Sequence, residues 1–187
     1  MTHARAFYRH KEFYLSAGVD PNIDRCQQFE QKFNVPAYLD IELAMSEIKP
    51  DIVVIACPTE THLSAVRSVF LTGNPKVMVC EKPLSYELSE AKEIINLCKR
   101  NSCKLYVNFF RRVEPGVINI KKRIQNGSIA FPLVGVVWYS KGLFNSAVHF
   151  IDLLQNLLGK VQNVSTIQFE GSPFKNNIDP NFKLNFD

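Results

Sequence analysis

The stretch DIVVIACPTETHLSAVRSVFLTGNPKVMVCEKP, residues 51–83, decides the fold of this chain. It begins with a continuous apolar run, Asp51 to Cys57, and a run of this kind predicts a strand that is buried on both faces. His62 to Leu71 then has the spacing of a helix that ends at Gly73, and Lys76 to Cys80 is a second apolar run. A strand, a helix and another strand in this order predict a βαβ unit with parallel strands.

The same alternation extends in both directions along the chain. Before residue 51 it predicts a helix with Ala4, Phe7 and Tyr8 on one face, a strand at 13–19 that ends on Asp20, a polar helix at 22–33, and a helix capped by Asp40. After residue 83 it predicts a helix with Leu88, Ala91, Ile94, Ile95 and Cys98 on one face, and then a strand at 104–110. Strands that alternate with helices of roughly ten to fifteen residues indicate an α/β fold with a doubly wound parallel sheet.

The pattern changes after Pro115. The sequence predicts an amphipathic helix that ends at Gly127, a strand from Leu133 to Ser140, a helix from about Asn145 to Leu158, and a less regular strand from Val161 to Glu170. We therefore expect two domains, residues 1–110 and residues 111–187, of which the second is part of a further α/β unit with an open sheet.

Composition excludes several classes of protein. The chain has 187 residues and 46% hydrophobic content, enough for a core, and its net charge of +4 comes from short, separated basic clusters that are more typical of solvated helix faces than of a nucleic-acid surface. No run approaches the ~20 apolar residues that cross a bilayer. Five cysteines without a CxxC pair indicate a reduced, cytoplasmic protein, and the four histidines lack the spacing of metal ligands.

Lys82 stands just beyond the carboxyl end of a predicted strand, within Glu81-Lys82-Pro83. Ligands of open α/β sheets bind at this edge. A lysine in a partly dry crevice can hold or release a proton near a substrate hydroxyl or carbonyl. The alternative is a solvated lysine without a catalytic role.

Four segments in a fixed order carry a resemblance to a known family. They are Cys57-Pro58-Thr59-Glu60-Thr61-His62, Cys80-Glu81-Lys82-Pro83-Leu84, Val107-Asn108-Phe109-Phe110-Arg111-Arg112, and Lys141-Gly142-Leu143-Phe144-Asn145-Ser146-Ala147-Val148-His149-Phe150-Ile151-Asp152. From about residue 3 to residue 170 the chain resembles the Gfo/Idh/MocA family of NAD(P)-dependent sugar oxidoreductases.

The resemblance implies a dinucleotide-binding domain followed by an α/β domain that often builds an oligomer interface. Lys82 would correspond to the catalytic lysine, and His149 to the histidine that exchanges a proton with the reacting sugar hydroxyl. Asn145 stands where many relatives have aspartate, and because it cannot ionise we expect it to orient the substrate from the same helix face as His149. The implied reaction is hydride transfer between a nicotinamide cofactor and a sugar or sugar-nucleotide hydroxyl.

The resemblance also implies cofactor and substrate contacts. Asp20 would bind the adenosine ribose and favour NAD over NADP, and the other expected cofactor residues are Pro58, Thr59, His62, Glu81 and Lys82. Expected substrate contacts are Arg111, which could clamp a carboxylate or phosphate, together with Tyr139 and Lys141, which lie near the end of the strand predicted from Leu133 to Ser140. Each has an alternative: Asp20 as a turn residue before Pro21, Thr59 and His62 as loop and first-turn residues, Arg111 in a surface ion pair, and His149 as a satisfied core histidine.

Two features separate this chain from the family pattern. It has no glycine before Gly18, so the G-x-G-x-x-G turn and the strand before it are expected to be absent, and relatives continue well beyond residue 187. We interpret the chain as an internal fragment of an enzyme that is a homo-oligomer in its full-length form. The competing hypotheses are a non-catalytic sensor of sugars or nucleotides on the same scaffold and a fragment without activity.

Overall fold

Helices alternate with strands through most of the chain. The computed structural model describes residues 2–161, 164–167 and 183–186, and these form two units, 1–108 and 109–187. The first unit contains α1 (His3–Arg9), β1 (Gly18–Val19), α2 (Ile23–Phe33), β2 (Ala37–Tyr38), α3 (Ile41–Ile48), β3 (Ile52–Ile55), α4 (His62–Thr72), β4 (Val77–Cys80), α5 (Leu88–Arg100) and β5 (Lys104–Val107). The second contains α6 (Pro115–Gln125), a π-helical turn (Leu143–Ala147), α7 (Val148–Leu158), β6 (Val164–Ile167) and β7 (Lys183–Phe186).

The strands of the first unit are all parallel. β3, β4 and β5 form one sheet in that order, in which Ile55 pairs with Cys80 and Cys80 pairs with Val107. β1 and β2 form a separate parallel pair, with Gly18 opposite Ala37. The parallel pairing and the intervening helices confirm the predicted α/β class. The two sheets do not hydrogen-bond to one another among the described residues.

The hydrophobic core lies on the three-stranded sheet. Val66 of α4, Met78 of β4 and Ile94 of α5 are each 0% exposed. They belong to one cluster of buried apolar side chains that also includes Ile55 and Cys98. The apolar spacing of α4 and α5 directs these side chains toward the sheet, so burial of this one face holds the two helices in place.

Local signals fix the helix ends as the sequence predicts. The Asp40 carboxylate accepts a hydrogen bond from the Leu43 amide at 2.8 Å and caps α3, and Asn22 caps α2 in the same way. α4 ends at Gly73. Gly18 has no room for a side chain, because a Cβ there would lie 2.7 Å from the Phe29 ring.

The second unit is held by polar pairs between its helices. The Arg112 guanidinium donates two hydrogen bonds to the buried carboxylate of Asp152 on α7. Lys121 of α6 donates to the Asn156 side chain on α7 at 2.8 Å. A bidentate pair of this kind fixes orientation as well as distance. It therefore sets the position of α7 one turn beyond His149.

Three strand predictions need correction. Leu133 to Ser140 is not a strand: Val134, Val136 and Trp138 are 98%, 77% and 89% exposed, and no other described segment pairs with this one. Alternating apolar residues form a strand only when a neighbouring strand accepts their backbone hydrogen bonds. Only Gly18 and Val19 of the segment predicted at 13–19 are in a strand, and β5 ends at Val107 rather than Phe110.

Two further expectations fall at the end of the chain. The strand predicted from Val161 to Glu170 is confirmed as β6 over Val164–Ile167, where it pairs antiparallel with β7. Val161 is not part of this strand, and residues 162–163 and 168–170 lie outside the described part of the chain. Across the described residues, no helix combines the length and the apolar character that crossing a bilayer requires.

Candidate functional site

A carboxylate at the carboxyl ends of β4 and β5 is held by three donors. Glu81 follows β4, and its Oε1 lies 2.6 Å from His3 Nε2 and accepts a hydrogen bond from Asn108 Nδ2 at 2.8 Å. The other oxygen, Oε2, accepts from the Lys82 amide at 3.3 Å. Glu81 therefore joins the start of α1 to the ends of two neighbouring strands.

These contacts determine the charge of Glu81. Burial by itself raises the pKa of this carboxyl, but the hydrogen bonds from Asn108, His3 and the Lys82 amide outweigh burial and hold the pKa below its usual value. The group is therefore an anchored anion at neutral pH. Since it binds the backbone of the next residue, it fixes the point from which half-buried Lys82 leaves the sheet.

The loop after β3 carries two further predicted residues. Pro58 is exposed and Thr59 is half-buried at the start of a 3₁₀ turn, Thr59–Thr61. The Pro58 carbonyl accepts hydrogen bonds from both the amide and the hydroxyl of Thr61 at 2.8 Å. β3 and β4 are adjacent and parallel, so the structure brings Pro58, Thr59, Glu81 and Lys82 to the same edge of the sheet.

His62 is placed differently from the other predicted cofactor residues. Its ring is 1% exposed, with Nε2 3.1 Å from the Cys57 carbonyl oxygen and Nδ1 3.1 Å from the Leu84 carbonyl oxygen. A ligand could reach neither nitrogen without displacing a backbone carbonyl. Direct contact of His62 with a cofactor stays a prediction, and this geometry favours a role in joining the two loops.

Asp20 directly follows β1, at the carboxyl end of the smaller sheet. One carboxylate oxygen accepts from the Asn22 amide at 2.9 Å, and the other lies 3.4 Å from Arg25 Nη1. The first contact is the turn role that the sequence left open as an alternative. Each oxygen of an ionised carboxylate has two lone pairs, so Asp20 keeps capacity to accept hydrogen bonds from hydroxyl groups.

His149 is a buried residue at the start of α7. Its ring is 8% exposed and meets the rings of Phe109 and Phe110 edge to face, at centroid distances of 6.1 and 5.5 Å. The exposed Asn145 lies in the π-helical turn before α7, so the prediction that both residues lie on one α-helix is wrong. π-helical turns are rare and occur frequently at functional sites.

The three predicted substrate residues also lie in the second unit. The Arg111 guanidinium is 5.7 Å from the Phe110 ring centroid and 5.8 Å from that of Phe150. Tyr139 is half-buried and Lys141 is exposed with a φ of 66°, but neither ends a strand as predicted, because residues 133–140 form none. Lys82 and His149 belong to different units, and their convergence on one substrate stays a prediction.

Sequence reasoning assigned no role to His3 or Asn108. Asn108 directly follows β5, and the rule that ligand-facing residues follow parallel strands could have identified it. His3 is 78 residues from Glu81 and carries no local signal of their contact. The Arg112–Asp152 pair was missed for a similar reason, since 40 residues separate its members.

A parallel sheet between helices, with charged residues at the carboxyl ends of its strands, is typical of α/β proteins that bind their ligands at that edge. Comparison with known proteins makes the class specific. Residues 1–109 match the model of the GFO_IDH_MocA family, described as an oxidoreductase family with an NAD-binding Rossmann fold. This match covers more than half of the chain, and the chain belongs to that family.

Two relatives of assigned activity are similar over most of the chain. Myo-inositol 2-dehydrogenase of Thermotoga maritima is 26% identical over 84% of this chain and 51% of its own length. The NAD⁺-dependent scyllo-inositol 2-dehydrogenase of Bacillus subtilis is 26% identical over 75% of this chain and 45% of its own. The chain thus spans about half the length of these relatives.

Solved structures show the same fold. The WlbA dehydrogenase of Bordetella pertussis, in complex with NADH and UDP-GlcNAcA, superposes with a TM-score of 0.77 at 22% identity, over 88% of this chain and 56% of that one. Scyllo-inositol dehydrogenase of Lactobacillus casei, with NAD(H) and scyllo-inositol, gives 0.74 at 19% identity, over 90% and 56%. These likenesses confirm the predicted Rossmann-type fold.

Proposed function

We propose that this chain is part of an oxidoreductase that interconverts a hydroxyl and a carbonyl group on a sugar, a cyclic polyol or a sugar nucleotide, with NAD as the cofactor. The observation that carries the proposal is the anchored Glu81 carboxylate, which fixes the origin of Lys82 at the carboxyl edge of the parallel sheet. The cofactor, when bound, supplies hydride exchange at the nicotinamide ring. The protein supplies position and proton transfer.

Residues of the first unit are the proposed contacts of the dinucleotide. Asp20 would accept hydrogen bonds from the adenosine ribose hydroxyls, while Pro58 and Thr59 would line the nicotinamide side together with Glu81 and Lys82. A carboxylate in the position of Asp20 repels the 2′-phosphate of NADP, which supports NAD as the preferred cofactor. Arg25 beside Asp20 is the group that would moderate this preference.

Lys82 and His149 are the residues proposed to transfer protons to and from the substrate. Lys82 would hold or release a proton at the reacting substrate oxygen, with His149 as the second proton-exchanging group and Asn145 as the residue that orients the sugar. The Arg112–Asp152 pair supports this arrangement, because it holds the helix on which His149 lies. Such proton transfer typically contributes about 10²–10⁴-fold to the rate.

The substrate class rests on the relatives and on Arg111. Two relatives are named as inositol dehydrogenases, and the Bordetella structure contains an acidic sugar nucleotide. Arg111, Tyr139 and Lys141 are proposed substrate contacts. Arg111 would favour substrates that carry a carboxylate or phosphate. A homo-oligomeric full-length protein in the cytoplasm is part of the same proposal.

Steady-state kinetics of the full-length enzyme that contains this chain, with NAD and inositols or UDP-linked uronic acids, test the proposal. We expect turnover that falls at least ~10²-fold in Lys82→Ala and in His149→Ala. Lys92→Ala, an exposed lysine on α5, and His10→Ala, an exposed histidine, are the matched controls and should retain the wild-type rate. Wild-type turnover in both site variants would contradict the assigned chemistry.

Calorimetric titration with NAD separates this proposal from its competitors. Binding together with turnover supports the oxidoreductase. Binding of NAD or of a sugar without turnover under any substrate would favour a sensor on the same scaffold. A folded chain that binds neither would favour a fragment that is inactive by itself.

A further inference from the structure

The ring of His62 stands between two loops that leave the three-stranded sheet. The ladder between β3 and β4 ends at the pair Ile55 and Cys80, and the last backbone bond runs from the Glu81 amide to the Ile55 carbonyl at 2.9 Å. Beyond this point the sheet no longer sets the distance between the chains. The ring lies there, with Nε2 3.1 Å from the Cys57 carbonyl of one loop and Nδ1 3.1 Å from the Leu84 carbonyl of the other.

The number of N–H groups on the ring limits how many hydrogen bonds it can donate. A neutral imidazole has one N–H, so it can donate to only one of the two carbonyls at a time. Cys80 Sγ, which is 0% exposed, lies 3.4 Å from Nδ1. Burial, followed by the nearby Cys57, Glu81 and Cys98, raises the pKa of Cys80 to about 12, so this thiol keeps its proton.

Each neutral form of the ring therefore has a distinct set of bonds. With the proton on Nε2, the ring donates to the Cys57 carbonyl and Nδ1 accepts the thiol proton of Cys80. With the proton on Nδ1, the ring donates to the Leu84 carbonyl instead. A ring protonated on both nitrogens donates to both loops.

We propose that His62 is a positioning residue that sets the spacing between the loop at 57–59 and the loop at 81–84, with Nε2 donating to the Cys57 carbonyl of the first loop and Nδ1 accepting from the thiol of Cys80, the residue directly before the second loop. Thr59 lies on the first loop and Lys82 on the second, so this spacing fixes the lysine relative to the nicotinamide side of the site. The consequence for the reaction rests on the proposed function. The coupling of the two loops does not, because it follows from distances and burial within the first unit.

Three substitutions test the two nitrogens separately. An asparagine amide replaces the ring at the Nδ1 position and a glutamine amide at the Nε2 position, whereas phenylalanine keeps the ring shape without a hydrogen bond. Amide hydrogen exchange, followed by NMR at the Thr61 and Lys82 amides, reports on the two loops, because the Thr61 amide donates to Pro58 of the first loop and the Lys82 amide donates to Glu81 of the second.

The expected results differ between the variants. In His62→Asn the Thr61 amide should exchange about fivefold faster than in the wild type, and the exchange rate of the Lys82 amide should not change. In His62→Gln the Lys82 amide should exchange about fivefold faster, and the exchange rate of the Thr61 amide should not change. In His62→Phe both amides should exchange faster. Val69→Ala, a cavity in the same helix at a residue that is 1% exposed, corrects for general destabilisation.

Two outcomes would overturn the proposal. One is a His62→Phe variant whose corrected exchange rates match the wild type at both amides. The other is equal acceleration of both amides in the Asn and Gln variants, which would show that the ring acts by packing alone. A kinetic arm adds the catalytic consequence: His62→Asn should raise the KM for NAD, and His62→Gln should lower kcat. Loop coupling without any turnover in the wild type would leave this proposal standing and contradict the proposed function.

Discussion

The two parallel sheets of the first unit differ in how deeply their side chains are buried. On the three-stranded sheet, residues of α4, β4 and α5 reach 0% exposure, including Val66, Met78 and Ile94. On the side of the two-stranded sheet, α1 has no buried residue, and the buried residues of α2 are Cys26 and Phe33. One side has a continuous core, and the other is held by a few local contacts.

The contacts on the smaller side are mainly aromatic. Tyr8 meets Phe33 at a centroid distance of 5.4 Å, Phe29 meets Phe33 at 4.8 Å, and Phe7 meets Phe13 at 5.3 Å. Such pairs contribute about 0.5–1.5 kcal/mol each beyond the area they bury. The His3–Glu81 contact then ties α1 to the strand ends of the larger sheet.

Because of this difference, we expect one part of the candidate site to be more rigid than the other. Thr59, Glu81 and Lys82 leave strands that rest on the continuous core, so their positions are set before any ligand binds. Asp20 leaves a strand of two residues, and its carboxylate is oriented by the Asn22 amide and Arg25 alone among the described contacts. We expect the Asp20 end of the candidate site to be more easily disturbed than the Lys82 end.

A matched pair of isoleucines tests the comparison most strongly. Ile94 of α5 is 0% exposed and Ile23 of α2 is 52% exposed. Ile94→Ala should lower the free energy of unfolding by about 2–5 kcal/mol, because it leaves a cavity that the core cannot fill. Ile23→Ala should lower it by less than about 1 kcal/mol. Urea denaturation followed by circular dichroism measures both.

The two variants control for one another, since each removes the same atoms from a helix. Equal losses would mean that the smaller sheet is packed as well as the larger one, and the comparison would fail. A loss in Ile94→Ala below about 1 kcal/mol would show that the core on α5 can collapse around the missing side chain.

The elements of the larger sheet could be predicted from sequence because their signals are local. β3 and β4 are continuous β-branched or apolar runs, and α4 and α5 have the period of a helix that buries one face. Asp40 and Gly73 mark helix ends by chemistry that acts within one turn. Where the core is continuous, local pattern and tertiary packing agree, and the prediction is confirmed.

The incorrect predictions concern segments whose structure depends on distant partners. Phe13 to Ala17 and Leu133 to Ser140 have strand-like composition, but strand formation also needs a backbone partner, and composition does not supply it. The π-helical turn that contains Asn145 depends on hydrogen bonds from Ser146 and Ala147 to Gly142, which the apolar period does not reveal. The sequence predicted Lys82 as a site residue from its place after a strand, but it gave no signal of the contact between His3 and Glu81.

Glu81 is expected to give the next largest effect, because it is the contact between the two sides. Glu81→Gln should lower the free energy of unfolding by about 1.5 kcal/mol at pH 7, because it removes the negative charge of the carboxylate that His3 and Asn108 contact. The exposed Glu12→Gln is the control and should have no measurable effect. Urea denaturation at pH 7, 5 and 3 measures all three proteins.

The pH dependence has a definite sign. Because the pKa of Glu81 is lower in the folded chain than in the unfolded one, the carboxylate stabilises the fold fully above the unfolded value of about 4.3, and this stabilisation is lost as the pH falls through the folded value. The difference between the wild type and Glu81→Gln should therefore narrow at pH 3. A difference that is constant from pH 7 to pH 3 would show that the charge of Glu81 contributes nothing.

Cysteine alkylation gives the smallest and most local test. Cys26 on the smaller side and Cys98 on the larger side have similar exposure, 4% and 1%, so static burial alone predicts equally slow reaction. Burial, followed by the neighbouring Cys103, raises the pKa of Cys98 to about 12. A closed thiol of this kind reacts with iodoacetamide only after local opening restores its ordinary pKa, so the rate reports the free energy of opening.

Local opening should cost less free energy on the side of the two-stranded sheet, where fewer side chains are buried. Cys26 Sγ is held by the Asp20 and Tyr38 carbonyls at 3.1 and 3.3 Å, whereas Cys98 packs within the continuous core. We expect Cys26 to be alkylated about fivefold faster than Cys98 by mass spectrometry, equivalent to about 1 kcal/mol in opening free energy. If Cys98 reacts as fast as Cys26, the two sides open together, and Asp20 is then held as firmly as Lys82 despite its shorter strand.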